Sequence, residues 1–143
     1  MEAWLYDTME DQRVRCRLCS HACIIANGKR GLCGVRDNRD GVLHTRVYGR
    51  LIAAGDAPIE KKPLNHFFPG TSVLSFGTAG CNLGCRFCQN WDISKAREND
   101  RLTDWVSPQA VAQAAAQAGC KSIAFTYNDP VIFLEYAVDV AQA

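Results

Sequence analysis

No run of residues in this sequence is apolar enough to cross a bilayer, since none approaches the roughly 20 hydrophobic residues a spanning helix needs. Charge of one sign is missing as well. Lys and Arg number 16 against 15 Asp and Glu, a formal net charge of +1, so no global field advertises nucleic acid or an anionic membrane as a partner. The opening stretch MEAWLYDTMEDQRVR carries acids early and lacks an apolar core. It reads against a signal peptide, and the cytoplasm is the expected address. Proline is sparse, with three of the five clustered between positions 53 and 70.

Cysteine is what the chain has in excess: eight in 143 residues. In a secreted mini-protein these would be staples, whereas in a cytosolic chain they read as metal ligands or redox groups. Their grouping supports the second reading. Cys16, Cys19, Cys23 and Cys33 form one set, Cys81, Cys85 and Cys88 another, and Cys120 stands alone.

Around these sets the chain falls into parts. Residues 16–33 are a cysteine-rich knuckle with turns at Asn27-Gly28 and Gly31. GVRDNRDGVLHTRVYG then reads as a hairpin turning at Asp40-Gly41, with Leu43, Thr45 and Val47 on one face of the return strand. Residues 53–70 read as a connector with little regular structure. TSVLSFGTAG is a strand with a glycine-rich end, followed directly by the second cysteine set. A helix is marked from Pro108 to Ala118, with Ser107 as N-cap and Gly119 as terminator. SIAFTY is a second strand, and Asp129-Pro130 opens a second helix. Strand, loop, helix, strand, helix is the rhythm of a parallel α/β sheet with crossover helices. The sequence stops at Ala143 inside that helix, and two strands make no covered parallel sheet. The expectation is therefore an N-terminal fragment of a longer protein.

The decisive stretch is GCNLGCRFCQNW, which spaces Cys81, Cys85 and Cys88 as C-x3-C-x2-C. Two unit charges about 4 Å apart repel by roughly 4 kcal/mol at an effective dielectric of about 20, so three thiolates here stay protonated or recruit a cation. Structural zinc wants four protein ligands, and an iron–sulfur cube also usually takes four cysteines. Three ligands suit a cube with one iron left for an exogenous group. Cys120 begins the second strand while the loop ends the first; parallel strands place those positions at opposite ends, so Cys120 reads as a small buried residue. Both the loop and Tyr127-Asn128-Asp129 fall at carboxyl ends of strands, where α/β folds gather ligands.

That loop, with Phe87 before its last cysteine and a strand before its first, resembles the signature of the radical S-adenosylmethionine (radical SAM) superfamily. A longer set of matches is similar to the radical SAM proteins of the AmmeMemoRadiSam system, relatives of pyruvate formate-lyase activating enzymes. These are CRLCSHAC, GKRGLCGVR, IEKKPLNHFFPG, CQNWDIS and TYNDP, and they cover most of the chain. The resemblance implies that Cys81, Cys85 and Cys88 hold three irons of a [4Fe–4S] cluster, and that the amino and carboxylate groups of S-adenosylmethionine chelate the fourth. It places Phe87 near the adenine and Tyr127, Asn128 and Asp129 at the methionine amino group. Asp129 stands where the family more often has Glu, so the shorter side chain either reaches the cofactor or only caps the helix.

The same resemblance implies an oxidoreductase that cleaves S-adenosylmethionine reductively to a 5′-deoxyadenosyl radical, which abstracts hydrogen from a protein or small-molecule substrate. Reduced flavodoxin or ferredoxin is the implied electron donor. The implied fold is a full or partial TIM-like (β/α) barrel. Residues 71–143 would give its first two units, after a Cys-rich N-terminal module with a hairpin (1–52) and a connector (53–70). A fragment without the later strands is expected to bind a cluster but not to turn over.

Cys16, Cys19, Cys23 and Cys33, spaced C-x2-C-x3-C-x9-C, leave three readings open: a structural zinc knuckle, a second iron–sulfur cluster that relays electrons, or unliganded thiols. His21 reads as an exposed loop histidine rather than a ligand. Glu60, Lys61 and Lys62 read as a solvated linker or a docking patch, and His66, Phe67 and Phe68 as packing over the near end of the barrel. Asn90 and Trp91 read as support for the cysteine loop. The competing hypothesis for the whole chain is a structural module with zinc in both cysteine sets and no catalysis.

Overall fold

A computed structural model of the protein describes residues 1–96 and 105–143. Positions 97–104, which fall within the expected first βα unit, lie outside the described residues. The amino-terminal part is built from short antiparallel pieces: β1 (Tyr6–Thr8), β2 (Val14–Cys16) and β3 (Ile24–Ile25) form one small sheet. β4 (Arg36–Arg39) and β5 (Val42–Thr45) form the hairpin, with Arg39 opposite Val42. Asp40 and Gly41 both adopt left-handed φ, +53° and +84°, as a two-residue turn matched to strand twist requires. Leu43, Thr45 and Val47 are buried and their alternating neighbours half-buried, so the expected face of the return strand is the inner one. Leu43 packs with Ala3, Val14, Cys16 and Ile25 in a small core of its own.

The second part is a three-stranded sheet in the order β6 (Ala53–Pro58), β7 (Ser72–Gly77), β8 (Ser122–Phe125). β7 and β8 run parallel, with Phe76 level with Phe125, as the alternating rhythm of the sequence indicates. β6 corrects the reading of 53–70 as irregular. Its six residues pair antiparallel with all of β7, from Ala53 opposite Gly77 to Pro58 opposite Ser72. Ala, Gly, Asp and Pro carry little intrinsic strand preference, and the ladder of β7 overrides it. Proline is tolerated because it ends an edge strand.

Among the described residues, α1 (Trp91–Ser94) and α2 (Pro108–Gln117) lie between β7 and β8, and α3 (Leu134–Gln142) follows β8. The Ser107 side chain accepts a hydrogen bond from the Ala110 N–H at 3.1 Å, capping α2 as its sequence indicates. A 3-10 turn, Pro130–Phe133, leads into α3, and Asp129 caps it by accepting from Val131 N–H at 3.1 Å. α2 turns Val111 and Ala115 inward, and α3 turns Tyr136, Ala137 and Val140 inward. Val111, Tyr136, Ala137 and Val140 meet Phe76 and Phe133 in the main core, where Phe76 and Tyr136 make an edge-to-face contact with centroids 5.8 Å apart. Replacing Phe76 by alanine would empty the centre of this cluster, a loss of about 3–5 kcal/mol for a buried phenylalanine.

Phe67 and Phe68 meet edge to face with ring centroids 4.6 Å apart but remain about half exposed, so they do not seal the end of the sheet as packing residues would. Cys120 lies just before β8, beside the start of β7, where the Lys121 N–H donates to Ser72 O. It is at the opposite end from the cysteine loop, as parallel pairing demands, though half-buried rather than buried. Among the described residues no helix is long and apolar enough to cross a membrane.

Candidate metal and cofactor centre

β7 delivers the chain to the site. Beyond Gly77 the backbone runs through buried Thr78 and Ala79 to Gly80, whose φ of +82° suits glycine. A Cβ at Gly80 would stand 2.5 Å from Cys33 O, so the turn into the cysteine loop is pressed against the amino-terminal knuckle. α1 closes the far side of the loop. Gly80 N donates to Ile93 O at 3.1 Å, Lys95 Nζ donates to Leu83 O at 2.5 Å, and the carbonyl of Asn90 accepts from Ile93 and Ser94. α1 thus holds the loop through Ile93 and Lys95, while the carbonyls of Asn90 and Trp91, read as its supports, bond forward within the helix.

The loop and the turn after β8 face each other across one cleft of about 510 Å³. Cys81, Cys85 and Cys88 line it from one side and Tyr127, Asn128 and Asp129 from the other, all at the carboxyl ends of adjacent parallel strands. Cys81 is buried, Cys88 half-buried and Cys85 exposed. Polar donors stand at two of the sulfurs: the Leu83 N–H lies 3.4 Å from Cys81 Sγ, and Ser94 Oγ lies 3.5 Å from Cys88 Sγ. Such contacts orient thiolate ligands and tune what they hold.

The turn residues have separate tasks. The Asn128 amide nitrogen donates to Thr78 O at 2.7 Å and Gly80 O at 2.8 Å, and its oxygen accepts from Thr78 N–H at 3.4 Å. Its carboxamide is thereby committed to the base of the cysteine loop. Asp129 both caps the following turn and lines the cleft. Tyr127 sits at φ +69°, a backbone conformation rare for a non-glycine residue, and Lys62 Nζ lies 5.5 Å from its ring centroid. Phe87 is not brought to this group: its side chain is 89% exposed and does not line the cleft. Leu83, Ser94, Lys95 and Thr126 line it without having been singled out in the sequence. For Ser94 and Lys95 the available signal was the CQNWDIS segment, which Ser94 ends and Lys95 follows.

Cys16, Cys19, Cys23 and Cys33 share a second, smaller cavity with His21 and Arg36. Burial pushes the Cys16 and Cys33 thiols up, while backbone N–H groups and Arg36 pull the other way. His21 Nε2 donates to Asn82 O at 2.7 Å, tying the knuckle to the loop. Among the described residues no group of three or more His, Cys, Asp or Glu is placed to hold a single metal ion. A tetrahedral zinc site gathers sulfurs at about 2.3 Å from one centre, whereas a cube meets each cysteine at a different iron. The donor set at Cys81, Cys85 and Cys88, three thiols with an N–H or O–H group at two of the sulfurs, is one that an iron–sulfur cluster accepts.

Residues 76–143 match the family described as the Radical SAM superfamily. An uncharacterized protein of Methanocaldococcus jannaschii is 39% identical over 140 residues, which is 98% of this chain and 42% of that protein. This chain thus spans less than half the length of that relative. No solved structure matches it.

Proposed function

We propose, from the match of residues 76–143 to the Radical SAM superfamily, that Cys81, Cys85 and Cys88 hold three irons of a [4Fe–4S] cluster, with S-adenosylmethionine in the facing half of the cleft. One observation carries this reading: the three thiols and the Tyr127–Asp129 turn line the same cavity at the carboxyl edge of a parallel sheet. Held by these residues, the cluster would supply one-electron reductive cleavage of S-adenosylmethionine, the chemistry that would initiate hydrogen abstraction from a substrate.

The chain's own residues bind and orient. Leu83 N–H and Ser94 Oγ hold the Cys81 and Cys88 sulfurs in place, and Asn128 fixes the backbone from which Cys81 projects. Asp129 offers a carboxylate oxygen to an ammonium group in the cleft while also capping the turn. The shared segments CRLCSHAC, IEKKPLNHFFPG and TYNDP favour an activating-enzyme-like member of the AmmeMemoRadiSam type, reduced by flavodoxin or ferredoxin and acting on a protein or small-molecule C–H bond.

Anaerobic reconstitution with iron and sulfide tests the ligand set. The expected result is a [4Fe–4S] signal that Cys85→Ala reduces, together with 5′-deoxyadenosine release when the intact protein is given dithionite and S-adenosylmethionine. An undiminished cluster signal in Cys85→Ala, or zinc without iron, would sink the assignment.

A further inference from the structure

Two neighbouring side chains at the end of α1 reach the cysteine loop, and the second of them carries a charge. Ser94 Oγ stands 3.5 Å from Cys88 Sγ. One residue on, Lys95 is half-buried and lines the cleft together with Cys81, Cys85 and Cys88. It also lines a second recess, of about 280 Å³, that Cys81 and Leu83 share, so the first cysteine of the loop has Lys95 beside it in both cavities.

The Lys95 ammonium is held from two directions. Nζ donates to Leu83 O at 2.5 Å and lies 5.6 Å from the centroid of the Trp91 ring. The Leu83 N–H in turn stands 3.4 Å from Cys81 Sγ. Leu83 is thus gripped at its carbonyl by Lys95 while it presents its amide to a sulfur. What the ammonium lacks is an acid. Its hydrogen-bond partner is an uncharged carbonyl, and no carboxylate among the described residues forms an ion pair with it. Among the described residues lining the cleft Lys95 is the one cation, and Asp129, the one carboxylate there, accepts from the Val131 N–H.

Reduction places one more negative charge on an iron–sulfur cluster, and net charge and hydrogen bonding around the sulfurs set its potential. A cation fixed in the wall of the site favours the reduced form. We propose that Lys95 is a positioning residue that raises the reduction potential of a cluster held by Cys81, Cys85 and Cys88. It holds Leu83 against Cys81 and keeps a positive charge in the wall of the cleft. The electron comes from a one-electron donor, dithionite in vitro, and no bond is made or broken at Lys95.

This role rests on the cluster proposed at the three cysteines, and the two fail in different ways. The parent protein, Lys95→Gln and Lys95→Arg are reconstituted anaerobically with iron and sulfide, with no S-adenosylmethionine present. Iron and sulfide are counted, and the cluster is titrated with dithionite in the presence of redox mediators and followed by EPR. Lys95→Gln keeps an N–H donor for Leu83 O but loses the charge, whereas Lys95→Arg keeps both. Lys95→Gln should titrate at a more negative potential, by about tenfold in the ratio of reduced to oxidised cluster, or about 59 mV for one electron. Lys95→Arg should titrate with the parent. The signal comes only from the loaded fraction, so lower iron uptake in a variant does not obscure the potential, and loss of the cluster from Lys95→Gln alone would show the same need for a cation. An unchanged potential in Lys95→Gln overturns the proposal, as does an equal negative shift in Lys95→Arg or loss of the cluster from both. Weaker S-adenosylmethionine binding at an unchanged potential would make Lys95 a ligand contact and overturns it too. A parent protein that takes up no iron overturns both the cluster and this role; a fully loaded parent whose potential Lys95→Gln leaves unmoved overturns the role alone.

Discussion

Arg36 on β4 and Glu135 on α3 form a fully buried, two-pronged ion pair, with Nη1 2.6 Å from Oε1 and Nη2 2.5 Å from Oε2. The Trp4 backbone N–H adds a third bond to the same carboxylate at 3.0 Å. One carboxylate therefore joins the first strand region, the hairpin and the helix after the Tyr127 turn. Arg36 also faces the amino-terminal cysteines, so the pair lies beneath both parts of the molecule at once.

Glu135→Gln should be among the most destabilising single substitutions in the chain. Removing one partner of a buried pair leaves the other charge uncompensated, a cost of about 3–5 kcal/mol. The pair also gives stability a pH dependence. Burial alone would push the Glu135 carboxyl up, but Arg36 and the Trp4 N–H bring it below its ordinary value. The pair's contribution is thus fully present above the unfolded carboxylate range and is lost as pH falls through the lower folded value. Urea unfolding between neutral and acidic pH should show this slope in the parent protein and a flatter one in Glu135→Gln. Equal slopes would mean the carboxylate is not the linked group.

Gly80→Ala tests the contact between knuckle and loop. The added methyl meets Cys33 O at 2.5 Å and Val35 Cγ1 at 2.7 Å, on a backbone already at φ +82°. The left-handed conformation alone costs about 1–2 kcal/mol for a residue with a Cβ, and the overlap adds to it. Gly84→Ala is the control, since nothing among the described residues lies within 4 Å of its Cβ position. Chemical denaturation should separate the two by roughly 2 kcal/mol or more, with Gly84→Ala near neutral. Similar stability for both would show that the two parts are not pressed together at this point.

The elements with strong local signals were legible in the sequence, and those made by pairing or tertiary contact were not. Ser107-Pro108 and Asp129-Pro130 announced their helix starts because capping is a matter between near neighbours. Asp40-Gly41 announced the hairpin for the same reason. β6 was invisible because Ala53–Pro58 becomes a strand only against β7. At the site, spacing placed Cys81, Cys85 and Cys88 on one loop, and the expected parallel strands, whose like ends lie together, put the Tyr127–Asp129 turn beside it. It could not assign the direction of Phe87, which points to solvent, or the partners of Asn128, which depend on residues about fifty positions away. The Arg36–Glu135 pair spans a still larger separation, and although Arg36 ends the GKRGLCGVR segment, nothing in the sequence joined it to Glu135.

Asn128 separates two meanings of a residue in the cleft. If its carboxamide served mainly to bind a ligand, its loss would weaken binding and leave the fold unchanged. In the structure its NH₂ group bridges Thr78 O and Gly80 O, so its first effect should be on the loop. Asn128→Asp removes both donors and sets a carboxylate against two carbonyl oxygens; Asn128→Ala leaves those buried oxygens without a partner, at about 1–3 kcal/mol. Asn128→Asp should therefore be the worse of the two in unfolding experiments, although it is closer in shape. Both variants should take up less iron at Cys81, Cys85 and Cys88 on reconstitution, before any S-adenosylmethionine is added. Full iron loading and unchanged stability, with only S-adenosylmethionine affinity reduced, would return Asn128 to the role of a direct ligand contact.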